Sequence, residues 1–307
     1  MVERPSFSTT KVLYNSLLIL SHLVHSDNSS RPVCSGDSEF ILNIMTTKLF
    51  LKFIDKFEEN FDDNLLPLEV LKDKISNGRE IRDLSEIRPD VYRYVLNIKM
   101  RLNNPYSSSI RAYLSQEDEI VLVGDDDRSR QESNFALIRG NDIYCWAGNA
   151  RNDGHLNEFI NNCDGYIPNS KYHVENVTYI TNSSGLVEYV YEHHTTKRHT
   201  DRNEQRGAYT SVINRKGCLP NDVGGHIVAH SIDGPSEAIN ILPMNSIFNN
   251  SDEWKVMESK MLSEYQHDRD FCVKRHICYH FNSQRPLSIS VEALFYDGNK
   301  SWQFYLG

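Results

Sequence analysis

Between Ile41 and Phe57, apolar residues recur at steps of four (Ile41, Met45, Leu49, Phe53, Phe57), the stripe of an amphipathic helix. Leu65 to Ile75 and Val91 to Leu102 continue in that style, with Pro67 and Pro89 as punctuation. The first 170 residues are therefore expected to be a mainly helical accessory region, with short strands at Ile120 to Val123 and Phe135 to Ile138. Pro168-Asn169-Ser170 breaks the pattern, and a boundary is expected there, with a second region over 171–307. In that second region Val177 to Ile180 and Leu186 to Tyr191 read as strands around the turn cluster Thr181 to Gly185. Leu287, Ile289, Val291 and Ala293 alternate with Ser288, Ser290 and Glu292, a half-buried strand, and Asp297-Gly298 turns the chain into a closing strand around Trp302 to Tyr305. Between these lies a helix from Asp252 to about Tyr265, striped by Trp254, Met257, Met261 and Tyr265; Asn250 with Glu253 three positions on reads as its cap. The expected class is α+β, strands around a central helix.

Composition narrows the options. Mean hydropathy is −0.53 and 24% of residues are charged, which describes a folded polar-surfaced chain. The most apolar stretch, Val12 to Val24, is interrupted by Asn15, Ser16, Ser21 and His22, so it reads as an amphipathic helix and not a membrane span. Glu3 and the lack of a small-x-small site argue against a signal peptide. Net charge is −9, but residues 176–307 carry only −2 of it. A polyanion partner would meet that part of the chain, through a local patch. Six cysteines without a CxxC spacing argue against a zinc ribbon and a dense disulfide framework. His193, His194 and His199 match no tetrahedral metal spacing.

One stretch carries chemistry. Asp222-Val223-Gly224-Gly225-His226 is followed by Asn240-Ile241-Leu242-Pro243, then Asn249-Asn250, Trp254 and Glu258. The two glycines remove side chains beside the imidazole, so a bulky backbone can approach it. An Asn near a helix start can aim a carbonyl oxygen at a hard cation where anions are also favoured. A base, an oxygen ligand and an anion-friendly helix end are the ingredients of metal-assisted phosphodiester cleavage.

In order and spacing these blocks resemble the DNA/RNA non-specific endonuclease family, with its ββα-metal (His-Me finger) site, and within it the branch found in bacterial secreted polymorphic toxins. Asp222, Gly224, Gly225, His226 and Ala229 fit that branch's first block, Asn240 and Pro243 its second, and Glu258 its helix glutamate. The likeness extends to Tyr179 through Gly185, Arg202-Asn203-x-Gln205, Tyr279, Arg285-Pro286 and Tyr296-Asp297-Gly298, covering about residues 176–307. Two departures stand out. Asn249 lies nine positions after Asn240, whereas Asn250 lies eight before Glu258, so one residue is extra and either amide fits the metal ligand. If Asn250 is consumed as the helix cap, Asn249 is the freer one. Where some relatives carry Arg beside the Gly-His pair, this chain has Val223 and Gly224, and the transition-state cation is expected from Arg202 or Arg206.

The resemblance implies a ββα-metal domain in which His226 takes a proton from the attacking water, an imidazole ordinarily being neutral at pH 7. It implies one Mg²⁺, with Mn²⁺ as the alternative, on Asn249 or Asn250, and Glu258 holding a water of its shell. Asp222, Gly224, Gly225 and Asn240 would brace the site. Lys197, Arg198, Arg202, Arg206, Arg215 and Lys216 form a basic run that would contact phosphates without reading bases. The implied substrate is DNA, with RNA as a second. The implied role is a secreted or delivered toxin or effector, which would bring an immunity protein as partner and involves no membrane. The alternative is a nuclease-like module that binds without cutting.

Overall fold

The computed structural model describes residues 68–81, 110–117, 119–124, 134–146, 166–194, 215, 217–235, 237–295 and 297–306. The helices expected over 12–24, 41–57 and 91–102 lie outside the described residues. Those that are described before residue 147 correct the mainly helical expectation. One helix, α1 (Leu68–Ser76), is followed by β1 (Arg79–Glu80), β2 (Ile110–Leu114), β3 (Ile120–Gly124), β4 (Asn134–Arg139) and β5 (Asp142–Trp146). The strands at 120 and 135 stand where the apolar runs place them. β2 and β5 are five-residue runs of mixed character that periodicity alone does not assign.

The chain continues with β6 (Lys171–Val174), β7 (Val177–Thr181), β8 (Val187–His194), β9 (Asp222–His226), β10 (Ile241–Asn245), α2 (Ser246–Asn249), α3 (Asp252–Gln266), β11 (Phe271–Tyr279), β12 (Pro286–Phe295) and β13 (Gly298–Tyr305). Among the described residues, eleven strands form one sheet in the order β1-β2-β3-β4-β5-β6-β7-β8-β11-β12-β13, and β9 pairs only with β10 in a separate two-stranded sheet. Every neighbour in the large sheet is antiparallel except β5 and β6, which run parallel from Asp142↔Lys171 to Cys145↔Val174. Crossing the sheet at that junction, His173 places Nε2 3.0 Å from Asp142 Oδ1, while its ring stacks on Tyr144 with centroids 4.5 Å apart. The hydrogen bond from His173 holds the Asp142 carboxyl below its usual range.

Helix α3 covers one face of the sheet. Trp254, Met257, Met261 and Tyr265 are buried at its 3–4 spacing and join Phe271, Val273, Ile277, Ile289, Val291 and Phe304 in one core. Trp254 meets Phe304 edge-on at 5.0 Å. Its cap corrects the sequence expectation: Ser251, not Asn250, accepts from Trp254 N at 3.3 Å. Beneath α3 a buried polar cluster interrupts the apolar layer, with Arg275 paired to Glu192 and His194 Nε2 3.1 Å from the other Glu192 oxygen. Arg275 Nη2 also reaches Met261 Sδ at 3.5 Å, tying the cluster to the helix. On the opposite face, Ile75 of α1 packs on Val121, Val123, Leu137 and Tyr144. The β7–β8 turn is set by Gly185, at φ 71°, where a Cβ would collide with the Tyr166 carbonyl. No described helix is long and apolar enough to cross a membrane.

Candidate active site

The two-stranded sheet places the candidate base. In β9 only Val223 points outward, while Asp222, Gly224 and Gly225 are buried and His226 is half-buried at the strand's end. The register with β10 runs from Asp222↔Asn245 to His226↔Ile241, so the imidazole closes the hairpin where the chain leaves the ladder. Directly beyond it, the fully buried Asn240 fixes the next loop. Its Oδ1 accepts from Val228 N at 2.8 Å, and its Nδ2 donates to the carbonyls of Val228 at 2.9 Å and Pro235 at 2.7 Å. The loop then makes a 3₁₀ turn, His230–Ile232, ended by Asp233 at φ 62° and latched to α3 by the Tyr265 hydroxyl, which donates to the Asp233 carboxylate. The same turn sets a second imidazole, His230, edge-on to His226 with centroids 6.3 Å apart.

The structure separates the two candidate amides. Asn245 caps α2 by accepting from Ile247 N at 2.8 Å. Asn250 closes that single turn: its Nδ2 donates to Ser246 O at 2.8 Å and its side chain lies on the exposed side. Asn249 turns the other way. Its Oδ1 sits 2.9 Å from where a Gly225 Cβ would stand, against the β9 backbone one residue before His226. The sulfur of Met244 crowds the same point. Only a glycine at 225 leaves room for that approach.

Glu258 stands one turn beyond Trp254 in α3, half-buried, with Oε1 accepting from the Trp254 indole at 3.0 Å. Burial pushes its carboxyl up, and the indole hydrogen bond offsets part of that. Asp222 accepts from Leu219 N at 2.8 Å and from both arms of Arg285, Nε at 2.8 Å and Nη2 at 3.1 Å. Arg215 spends its guanidinium on backbone, donating to Ile241 O at 2.7 Å and Ala238 O at 2.8 Å, which differs from the phosphate contact expected of it. Lys197, Arg198, Arg202, Arg206 and Lys216 lie outside the described residues. Three roles at the site are visible only in the fold: His230 beside His226, Trp254 as the donor to Glu258, and Arg285 as the partner of Asp222, of which His230 alone lacks a signal in the sequence.

The Asn249 amide oxygen lies against Gly225, next in the chain to His226, and the half-buried Glu258 carboxylate is held by Trp254 on α3. Among the described residues no group of three or more His, Cys, Asp and Glu is placed to enclose a metal. The donors present suit a hydrated hard cation with few direct protein ligands, not a closed soft-metal site.

Residues 164–295 match the family model described as DNA/RNA non-specific endonuclease. This segment is similar to a DNA/RNA non-specific endonuclease domain. The matched segment begins between β5 and β6, at the parallel junction of the large sheet, and contains the hairpin, α2, α3 and every strand from β6 to β12. The crystal structure of NucA from Streptococcus agalactiae with no metal bound is similar over 55% of this chain and 77% of that chain, with 12% identity and a TM-score of 0.31. A likeness that loose assigns no residue a role. No curated protein matches the chain.

Proposed function

We propose that the protein is a metal-dependent endonuclease that hydrolyses DNA, and RNA as a second substrate, with little base preference. The observation that carries this reading is the approach of the Asn249 amide oxygen to the Gly225 backbone beside His226, inside the matched segment. The Asn249 amide oxygen is the kind of hard donor that a largely hydrated divalent cation takes, and it stands on the helix turn next to the strand that ends in His226. Asn249 would hold it directly, and Glu258 would order a water of its shell. When bound, Mg²⁺ or Mn²⁺ supplies Lewis-acid stabilisation of the charge that builds on the phosphate and the leaving 3′ oxygen.

The chain's own groups do the rest. His226 accepts a proton from water as its oxygen bonds to phosphorus and the P–O3′ bond breaks. Asn240 keeps the loop after His226 from relaxing, so the ring holds its direction. Arg202 or Arg206 is assigned the transition-state charge, and Lys197, Arg198 and Lys216 the flanking phosphates. Residues 1–170 then form an accessory region and 171–307 the catalytic one, and the role is that of a delivered toxin or effector with an immunity protein as inhibitor. The alternative is a nuclease-like module that binds without cutting, motivated by the acidic balance and the extra residue before α3.

The test is digestion of supercoiled plasmid and of a structured RNA by the full chain, with and without Mg²⁺. The reading expects cleavage that needs the metal and is lost in His226→Ala. Intact polymers under all conditions, or a fully active His226→Ala, would remove it.

A further inference from the structure

The β9–β10 hairpin has a structural problem that the large sheet does not share. β9 and β10 hydrogen-bond only to each other among the described strands, so no backbone ladder fixes where the hairpin sits on the eleven-stranded sheet. Apolar packing of Leu242 and Met244 supplies adhesion but little direction. Direction requires a few oriented polar bonds.

Arg285 provides such bonds. It lies immediately before Pro286, the first residue of β12, and is 5% exposed. Its Nε and Nη2 grip the two carboxylate oxygens of Asp222, at 2.8 and 3.1 Å, while Nη2 also donates to Leu306 O at 3.0 Å. Leu306 is itself anchored, its N–H donating to Leu287 O at 2.9 Å. The fork therefore reaches from the rim of the large sheet to the first residue of β9. Across the hairpin, Asp222 is in register with Asn245, which caps the helix turn that carries Asn249. Along the strand, His226 is four residues on, about 13 Å at the rise of a β-strand. Arg285 is thus too distant to touch the reacting phosphate, yet it is bonded to Asp222, which starts the strand that ends at His226 and pairs with Asn245, the cap of the turn that carries Asn249.

We infer that Arg285 is a positioning residue for catalysis: its bidentate grip on Asp222 sets the pose of the β9–β10 hairpin and so aligns His226 with Asn249. The inference rests on the active site proposed above and adds a function for a pair that would otherwise count as a buried ion pair. A forked guanidinium fixes direction as well as distance, whereas a lysine ammonium would supply charge without orientation. Positional errors near 1 Å are enough to cost a hydrolytic site about 100-fold.

The experiment compares the full-length wild type with Arg285→Lys, Arg285→Met, Asp222→Asn and the double variant Asp222→Asn/Arg285→Met. Lys274→Met, on the opposite sheet face, serves as control. Plasmid cleavage in Mg²⁺ gives kcat and KM, and hydrogen–deuterium exchange reads the amides of 222–227 and 241–249. The expected result is a kcat lowered about 10- to 100-fold in each single variant with KM within about twofold, a double variant no worse than the worse single one, and faster exchange confined to the hairpin. A folded Arg285→Lys with unchanged kcat overturns the inference. So does a raised KM at unchanged kcat, because that marks a substrate contact. If the wild type cleaves nothing, the proposed function falls separately and exchange alone decides. Hairpin amides loosened in Arg285→Lys then support the positioning role, and unaltered hairpin amides overturn it. The same readings on Arg285→Lys decide the matter if Arg285→Met does not fold.

Discussion

The large sheet is held by continuous backbone ladders and buried apolar clusters, whereas the β9–β10 hairpin is held by two strands, the buried Asn240, the hydrogen bonds of Arg215 and Tyr265, and the Arg285–Asp222 fork. In the sheet, any one contact is backed by many others, as where Ile289 and Val291 sit between two strand neighbours beneath α3. In the hairpin, Asn240, Asp222 and Gly225 each have a separate task that the others do not share. The consequence is a division of labour: substitutions in the sheet should register first as lost stability, and those in the hairpin first as lost rate.

His226→Ala gives the sharpest separation. It removes the proposed base from a half-buried site, and should lower plasmid cleavage by about 10²- to 10⁴-fold while leaving the melting temperature within about 2 °C of wild type. A comparable fall in both would erase the distinction between the regions. A matched pair of glycines sharpens it. At Gly225 a methyl would press on the buried Met244 sulfur and on Asn249 Oδ1, so Gly225→Ala should cost about 100-fold in rate with about 1–3 kcal/mol of stability. At Gly185, in the sheet, φ is 71° and the Tyr166 carbonyl blocks the same atom, so Gly185→Ala should cost about 1–3 kcal/mol of stability at full specific activity. Denaturant titration and initial rates on the two variants check both halves.

Much of the hairpin is legible in the sequence because its residues are unusual for a strand. Two glycines and a histidine in five positions have few structural explanations, and the order of the later blocks supplies the rest. The choice between Asn249 and Asn250 is not legible there: Asn250 and Ser251 are both good caps, and only the fold shows Ser251 taking that role while Asn250 bonds back to Ser246. Nor is the sheet before residue 147. β2 and β5 are short runs without a decisive period, and the parallel join of β5 to β6 pairs residues about 29 apart through a segment with no local signal. The fork between Asp222 and Arg285 spans 63 residues, a separation that one sequence does not encode visibly.

Smaller effects test the fine structure of the same contrast. Asn240→Ala leaves the N–H and C=O of Val228 without their side-chain partner and should cost about 1–3 kcal/mol, with rate falling in parallel as the loop after His226 loosens. Equilibrium unfolding measures the first and initial rates the second. Glu258→Gln should separate the two quantities in opposite directions. Burial raises the carboxyl of Glu258, so the folded state favours its protonated form. The stability this contributes is complete below the ordinary carboxyl range and is lost as pH rises through the raised value. At pH 7 the neutral glutamine therefore melts higher than wild type, and the gap closes on acidification. Cleavage falls about tenfold, because glutamine keeps the Trp254 contact but not the charge. A melting temperature lowered at pH 7 would contradict the role of burial at this position.

We propose that the amide of Asn249, and not that of Asn250, holds the hydrated cation beside His226. This is tested most directly by measuring the plasmid cleavage rate as a function of Mg²⁺ concentration for the wild type, Asn249→Ala and Asn250→Ala. Asn249→Ala is expected to shift the half-saturating Mg²⁺ concentration upward by about tenfold or more and to lower the plateau, while Asn250→Ala follows the wild-type curve. A wild-type rate that is the same in EDTA as in Mg²⁺, or a shift found in Asn250→Ala and not in Asn249→Ala, would contradict it.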